Sequence, residues 1–143
     1  FKKRCDMELK GGCYCQSVKY EINGDVKFAQ CHCRECQYIS GGHPNAILLT
    51  QESNVTFTNK NFLKEFTRRD IEKPVTRLFC EKCGTSIGVN KNPFRPNIMI
   101  IKVGTLDDPS IYKPQAAQFI AEAQDFHHIP KNIPTFPGRA FQS

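Results

Sequence analysis

Apolar and polar positions alternate with period two in several short stretches, the pattern of half-buried strands. Ser17-Val18-Lys19-Tyr20-Glu21-Ile22 shows it most clearly, and Asn23-Gly24-Asp25 follows. Asn-Gly is the strongest short hairpin signal. The chain is therefore expected to turn there and return through residues 26–30, delivering Cys31. Further strands are expected at 46–50, 54–58, 63–67, 76–79, 86–89 and 97–103, with Pro44, Pro74, Pro93, Pro96 and Pro109 at or between their ends. One segment departs from the pattern. Residues 115–124 are rich in Ala, Gln and Glu, which favours a short helix after Pro114. The tail from 130 to 143 carries three prolines and is expected to be extended. No repeat or linker interrupts the chain, so residues 1–143 read as one mostly β domain of short antiparallel strands.

Composition narrows the function classes. The chain has 143 residues, with 20 Lys and Arg against 14 Asp and Glu, a net charge of +6. The basic residues are scattered, so this is no nucleic-acid footprint, although an anionic ligand is allowed. The hydrophobic share is 39%, below the roughly 45–50% of ordinary globular chains, a norm that also counts Gly. A thin core is expected, with Phe57, Phe62, Phe66, Phe79 and Phe94 packed into it and a metal or covalent link assisting it. No apolar run is long enough to span a bilayer, and the basic start Phe1-Lys2-Lys3-Arg4 lacks a signal peptide's apolar stretch. A cytoplasmic protein without membrane or nucleic-acid partners is expected.

Eight cysteines are the outstanding feature. Seven fall into Cys13-x-Cys15, Cys31-x-Cys33-x-x-Cys36 and Cys80-x-x-Cys83, while Cys5 stands alone and is expected to be exposed and without function. A disulfide framework is one reading, but C-x-C suits an internal disulfide poorly and nothing indicates secretion, so metal binding is favoured. Structural zinc takes four protein ligands, and catalytic zinc takes three with an open position. Cys80-Glu81-Lys82-Cys83-Gly84 has the form of a zinc knuckle, and Cys13 with Cys15 can supply its second pair. The triplet Cys31, Cys33 and Cys36 then remains, so seven thiols divide as four plus three. Other groupings stay open. His32 lies inside the triplet and reads as an adjacent polar group, on the expectation that strand neighbours point to opposite faces. His43 can complete the triplet and close that site. His127-His128 reads as a surface feature. A thioredoxin-like use of either C-x-x-C needs its first Cys to open a helix within a βαβ unit, and no such pattern is evident around them.

These residues resemble a known family. Gly11-Gly12-Cys13-Tyr14-Cys15-Gln16-Ser17-Val18-Lys19-Tyr20-Glu21-Ile22, then Cys31-His32-Cys33-Arg34-Glu35-Cys36-Gln37 with Ser40-Gly41-Gly42, then Phe79-Cys80-Glu81-Lys82-Cys83-Gly84-Thr85, then Val103-Gly104-Thr105-Leu106-Asp107-Asp108-Pro109 occur in the family's order. They are similar to the motifs of the glutathione-dependent formaldehyde-activating enzyme (Gfa-like) family, related to centromere protein V, over about residues 8–138. The resemblance implies a zinc-bearing β-tent type fold with two zinc ions. Cys13, Cys15, Cys80 and Cys83 would hold the structural ion, and Cys31, Cys33 and Cys36 the catalytic one. The implied activity joins formaldehyde to glutathione as S-(hydroxymethyl)glutathione, a carbon–sulfur lyase reaction in the reverse sense. The chain departs from the family where a Trp-containing segment is expected, at residues 125–130, since it contains no Trp. That leaves the substrate open.

The chemistry fits a three-thiolate zinc, which can hold a substrate thiol as thiolate, polarise a carbonyl, or leave and free Cys33 or its neighbours. His32 or a bound water can supply the proton the product alkoxide needs. Arg34, Arg77, Lys82, Lys91 and Arg95 are candidates to attract an anionic thiol. The alternative is a zinc-stabilised binding module without chemistry, which needs only the four-cysteine site.

Overall fold

The computed structural model describes residues 6–141, so Cys5 lies outside the described residues. Nine strands form the fold: β1 (Asp6–Gly12), β2 (Lys19–Cys31), β3 (Asn45–Gln51), β4 (Val55–Asn59), β5 (Leu63–Thr67), β6 (Thr76–Cys80), β7 (Ser86–Asn90), β8 (Ile98–Lys102) and β9 (Ala117–Gln118). One α-helix, α1 (Arg34–Ser40), joins β2 to β3. The sheet runs β1-β2-β3-β8-β7-β6-β5, with β4 and β9 also paired to β2. All pairings are antiparallel except that of β9 with β2. The mostly antiparallel β expectation is borne out.

The first hairpin is displaced from where Asn-Gly placed it. Asn23 and Gly24 lie inside β2, opposite Glu8 and Met7 of β1. The turn comes earlier, where Cys13 N donates to Val18 O and Gln16 N to Cys13 O. Gly24 instead marks a kink. Up to Ile22 the strand pairs with β4, and from Val26 onward it pairs with β3. Its φ of +136° and the closeness of the Asn54 side chain both demand glycine.

Two apolar clusters sit on opposite faces of the sheet, because successive strand residues point to opposite sides. Phe28, Leu48 and Ile101 join Tyr20, Ile22 and Leu78 around Cys13 and Cys80. Ala29, Ile47, Leu49 and Ile100 pack with Cys31 and Cys36. β3 and β8 are thus buried on both faces, as near-continuous apolar strands are. Gly88 of β7 lies against the Ile100 carbonyl of β8, which occupies the place a Cβ would take. Gly88→Ala is therefore expected to lose about 1–3 kcal/mol to overpacking, read as a thermal midpoint lower by several degrees. A wild-type melt would mean that β7 can move away from β8.

Three sequence expectations are corrected. Residues 115–124 form no α-helix. Ala117 and Gln118 pair in parallel with Gln30 and Cys31, and residues 120–122 make one 3-10 turn. Tertiary pairing overrides the helical propensity of Ala and Gln. The helix that does form lies within the triplet, where strand geometry was expected. Phe62, Phe66 and Phe94 are exposed rather than in the core. Lys82 covers the ring of Phe62, and Arg139 that of Phe94.

Candidate metal centres and the cationic cavity

The two pairs of the four-cysteine cluster sit at hairpin turns, Cys80 being the last residue of the strand that enters the second. Cys13 and Cys15 occupy the β1–β2 turn, and Cys83 the β6–β7 turn that Cys80 enters from β6. Cys80 N donates to Thr85 O, Gly84 N donates to Cys80 O, and Gly84 leaves the knuckle at φ +81°. Tyr14 N donates to Thr85 Oγ1 across the two turns. The four sulfurs converge within 4.8 Å of one another, with Cys13 Sγ 3.6 Å from Cys15 Sγ and Cys15 Sγ 3.8 Å from Cys80 Sγ. Donors favour the thiolate at Cys15 and Cys83, whereas burial pushes the Cys80 thiol up to about 11. Val18 N donates to Cys13 Sγ at 3.2 Å. Hydrogen bonds from Ser17 lower the Cys15 thiol, and the Thr85 hydroxyl holds the Cys83 thiol down to about 5. Four sulfurs at one point with N–H and O–H donors aimed at them fit a closed tetrahedral metal site.

The triplet is assembled differently. Cys31 ends β2, Cys33 caps α1 and Cys36 lies in its first turn. Cys36 N donates to Cys33 Sγ at 3.3 Å, and Gly41 closes the helix in the left-handed region. The three sulfurs also lie within 4.8 Å of one another. The neighbouring Cys31 and Cys33 thiols hold Cys36 well below the usual thiol range, and the charge of Lys102 adds to this. The same proximity, to Cys31 first and then Cys36, pushes the Cys33 thiol up. A divalent cation would allow all three to ionise, so the residues present fit a three-ligand metal site.

Cys33 does open a helix, contrary to the expectation for its C-x-x-C. That helix nevertheless joins antiparallel strands and makes no βαβ unit. His32 is completely buried and has neither nitrogen free. Nδ1 meets His127 Nδ1 at 2.8 Å, and Nε2 meets the Gln30 side chain at 2.7 Å. Burial pushes its imidazole down to about 4, with His127 adding to the shift. His32 is thus neutral at pH 7 and braced rather than poised to donate a proton. His127 is corrected from a surface residue to a partner in this brace, since its Nε2 donates to Gly42 O. His43 packs on Phe126 and His127 and is absent from the thiol clusters found among the described residues.

A cavity of about 450 Å³ opens beside the triplet. Arg34, Arg68, Arg77, Arg95, Lys102 and Arg139 line it, against only Glu35 and Glu122. Glu35 is engaged by Arg68 and Arg77. Arg34, Arg77 and Arg95 were legible candidates, whereas Lys82 and Lys91 lie elsewhere, over Phe62 and beside Glu65. Arg68, Lys102 and Arg139 were missed. Lys102 ends a strand with the apolar run Ile98-Met99-Ile100-Ile101, and Arg139 is over a hundred positions from the triplet. Lys102 is 7% exposed, and burial lowers its pKa while the triplet sulfurs oppose that shift. Gln37, also buried, ties α1 to the segment after β9 by donating to His32 O and Glu122 O.

The family model of the glutathione-dependent formaldehyde-activating enzyme matches residues 8–122. No curated protein matches the chain. Among solved structures, a Rhodobacter sphaeroides protein superposes with a TM-score of 0.56 at 19% identity, covering 69% of this chain and 88% of that one. That likeness concerns the fold alone. No helix among the described residues is long and apolar enough to cross a membrane.

Proposed function

The chain belongs to the glutathione-dependent formaldehyde-activating enzyme family, and from that premise we propose that it is a zinc-dependent carbon–sulfur lyase-type enzyme joining glutathione, or a related thiol, to a small aldehyde such as formaldehyde. The observation that carries the reading is the three-cysteine cluster opening onto a cation-lined cavity on the face of the sheet opposite the four-cysteine cluster. In this reading Cys13, Cys15, Cys80 and Cys83 hold a structural zinc, and Cys31, Cys33 and Cys36 hold a catalytic, exchangeable one. When bound, the second zinc supplies a site at which a thiol is kept as thiolate.

The reaction forms a C–S bond between the thiol sulfur and the aldehyde carbon. The C=O π electrons move onto oxygen, which takes up a proton, so the thiol proton is conserved in the hydroxyl. The chain's own part is electrostatic. Lys102 acts on all three triplet sulfurs and faces the same cavity, where its positive charge stabilises both the thiolate and the alkoxide. With His32 neutral and enclosed, the proton is left to solvent in the cavity. Seven free thiols suit a reducing, cytoplasmic setting.

The test is NMR exchange spectroscopy on glutathione and formaldehyde, with and without the zinc-loaded protein. Adduct formation and breakdown are expected to exceed the spontaneous rate at least tenfold at micromolar protein. No acceleration with fully loaded protein would remove the enzymatic reading.

A further inference from the structure

Arg95 is a buried charged side chain with no carboxylate partner among the described residues, the Cys31 sulfur of the triplet being the counter-charge that favours it. It is 8% exposed, and Nη2 donates to Gln118 Oε1 at 2.9 Å and to Ala140 O at 2.6 Å, both neutral acceptors. Arg139 lies close by, its guanidinium 3.8 Å from the centre of the Phe94 ring and 5.4 Å from that of Phe119. The charge of Arg139 opposes that of Arg95. Among the described residues, neither guanidinium has a carboxylate within ion-pair distance, whereas the cavity's other ion pairs engage Arg68 and Arg77 with Glu35. Two like charges held together at a cavity wall, one of them desolvated, are costly unless an anion joins them. An arginine fork is also the side chain best matched to a planar carboxylate.

We propose that Arg95 and Arg139 form a carboxylate-recognition site for the thiol substrate, so that the cavity selects acidic peptide thiols over neutral ones. This rests on the thiol–aldehyde reading and adds its specificity determinant. Arg95 is fixed by Gln118 of β9 and by the backbone of the tail, and lines the cavity. Arg139 is steadied by two aromatic rings, which hold a flexible side chain in place and lower the entropy lost on binding.

The experiment is calorimetric titration of the zinc-loaded protein with glutathione and with its diethyl ester, in which both carboxylates are capped and the thiol is kept. Wild type should bind the diester at least tenfold more weakly than glutathione. Arg139→Gln should weaken glutathione about tenfold while leaving the diester within twofold of its wild-type affinity, and Arg139→Lys should recover part of the loss. A melt checks that each variant folds, and the two-ligand comparison on wild type stands whether or not they do. Equal affinity for both ligands overturns the inference, as does a variant that weakens both alike. If the diester is also turned over as well as glutathione, the enzymatic reading survives and this inference alone falls. Carboxylate-dependent binding without any accelerated adduct formation keeps the recognition site and overturns the enzymatic reading. Binding of neither ligand overturns both.

Discussion

A Cys80→Ser variant is expected to be insoluble or unfolded under conditions that yield soluble wild type. Cys80 is fully buried in the cluster formed by Tyr20, Ile22, Leu78 and Ile87, and its sulfur meets that of Cys15 across 65 positions of chain. A metal bound there would close a long loop and link the first hairpin to the β6–β7 hairpin. Such sites contribute about 10–16 kcal/mol of apparent binding energy in small zinc domains, against the roughly 5–15 kcal/mol that holds a whole domain folded. Serine would also leave a polar hydroxyl in an apolar pocket and three thiolates without a closed shell. The readouts are solubility, a circular dichroism melt and metal content. A soluble Cys80→Ser protein that melts cooperatively with full metal would refute the structural assignment.

The opposite is expected of Cys33→Ser. Activity with glutathione and formaldehyde should drop to the spontaneous rate, and metal content should fall from about two equivalents to about one, while the melt stays near wild type. The fold should survive because the one structural task visible for Cys33 is to cap α1 by accepting from Cys36 N, and serine is among the preferred N-cap residues. The variant thus separates ligation from helix capping. Activity equal to wild type would remove the catalytic claim for the triplet. A collapsed melt would make the triplet structural and bring the binding-module reading forward.

Much of the fold was legible because strands of a twisted sheet leave a period-two or continuous apolar trace, as at residues 18–22 and 98–102. What misled were signals whose local meaning was overridden by pairing. Asn23-Gly24 has the chemistry of a tight turn, but β1 pairs alongside it and β2 runs through, so the glycine serves a kink. Residues 115–124 carry helical propensity, yet Ala117 and Gln118 extend the sheet beside β2. Helix α1 was hidden because its cap is a cysteine, a residue outside the usual capping set. The cysteine groups were visible from spacing alone, and the structure brings together the same four and the same three sulfurs. The cavity was only half visible. Spacing points to local ligand sets, whereas Lys102 and Arg139 come to the cavity through sheet order and a returning tail.

That returning tail lies apart from the scaffold in sequence yet contributes to the cavity. Ala117 is paired with Thr135, Phe119 N donates to Gly138 O, and Arg95 reaches Ala140 O, so residues 123–141 pack beside the site and bring Arg139 to the cavity lining, although the family match stops at 122. A chain ending at 122 would keep all seven clustered cysteines and every strand, yet lose His127 and Arg139. On the proposed reading, substitutions confined to the last twenty-odd residues would alter the cavity lining at Arg139 while leaving every clustered cysteine and every strand in place.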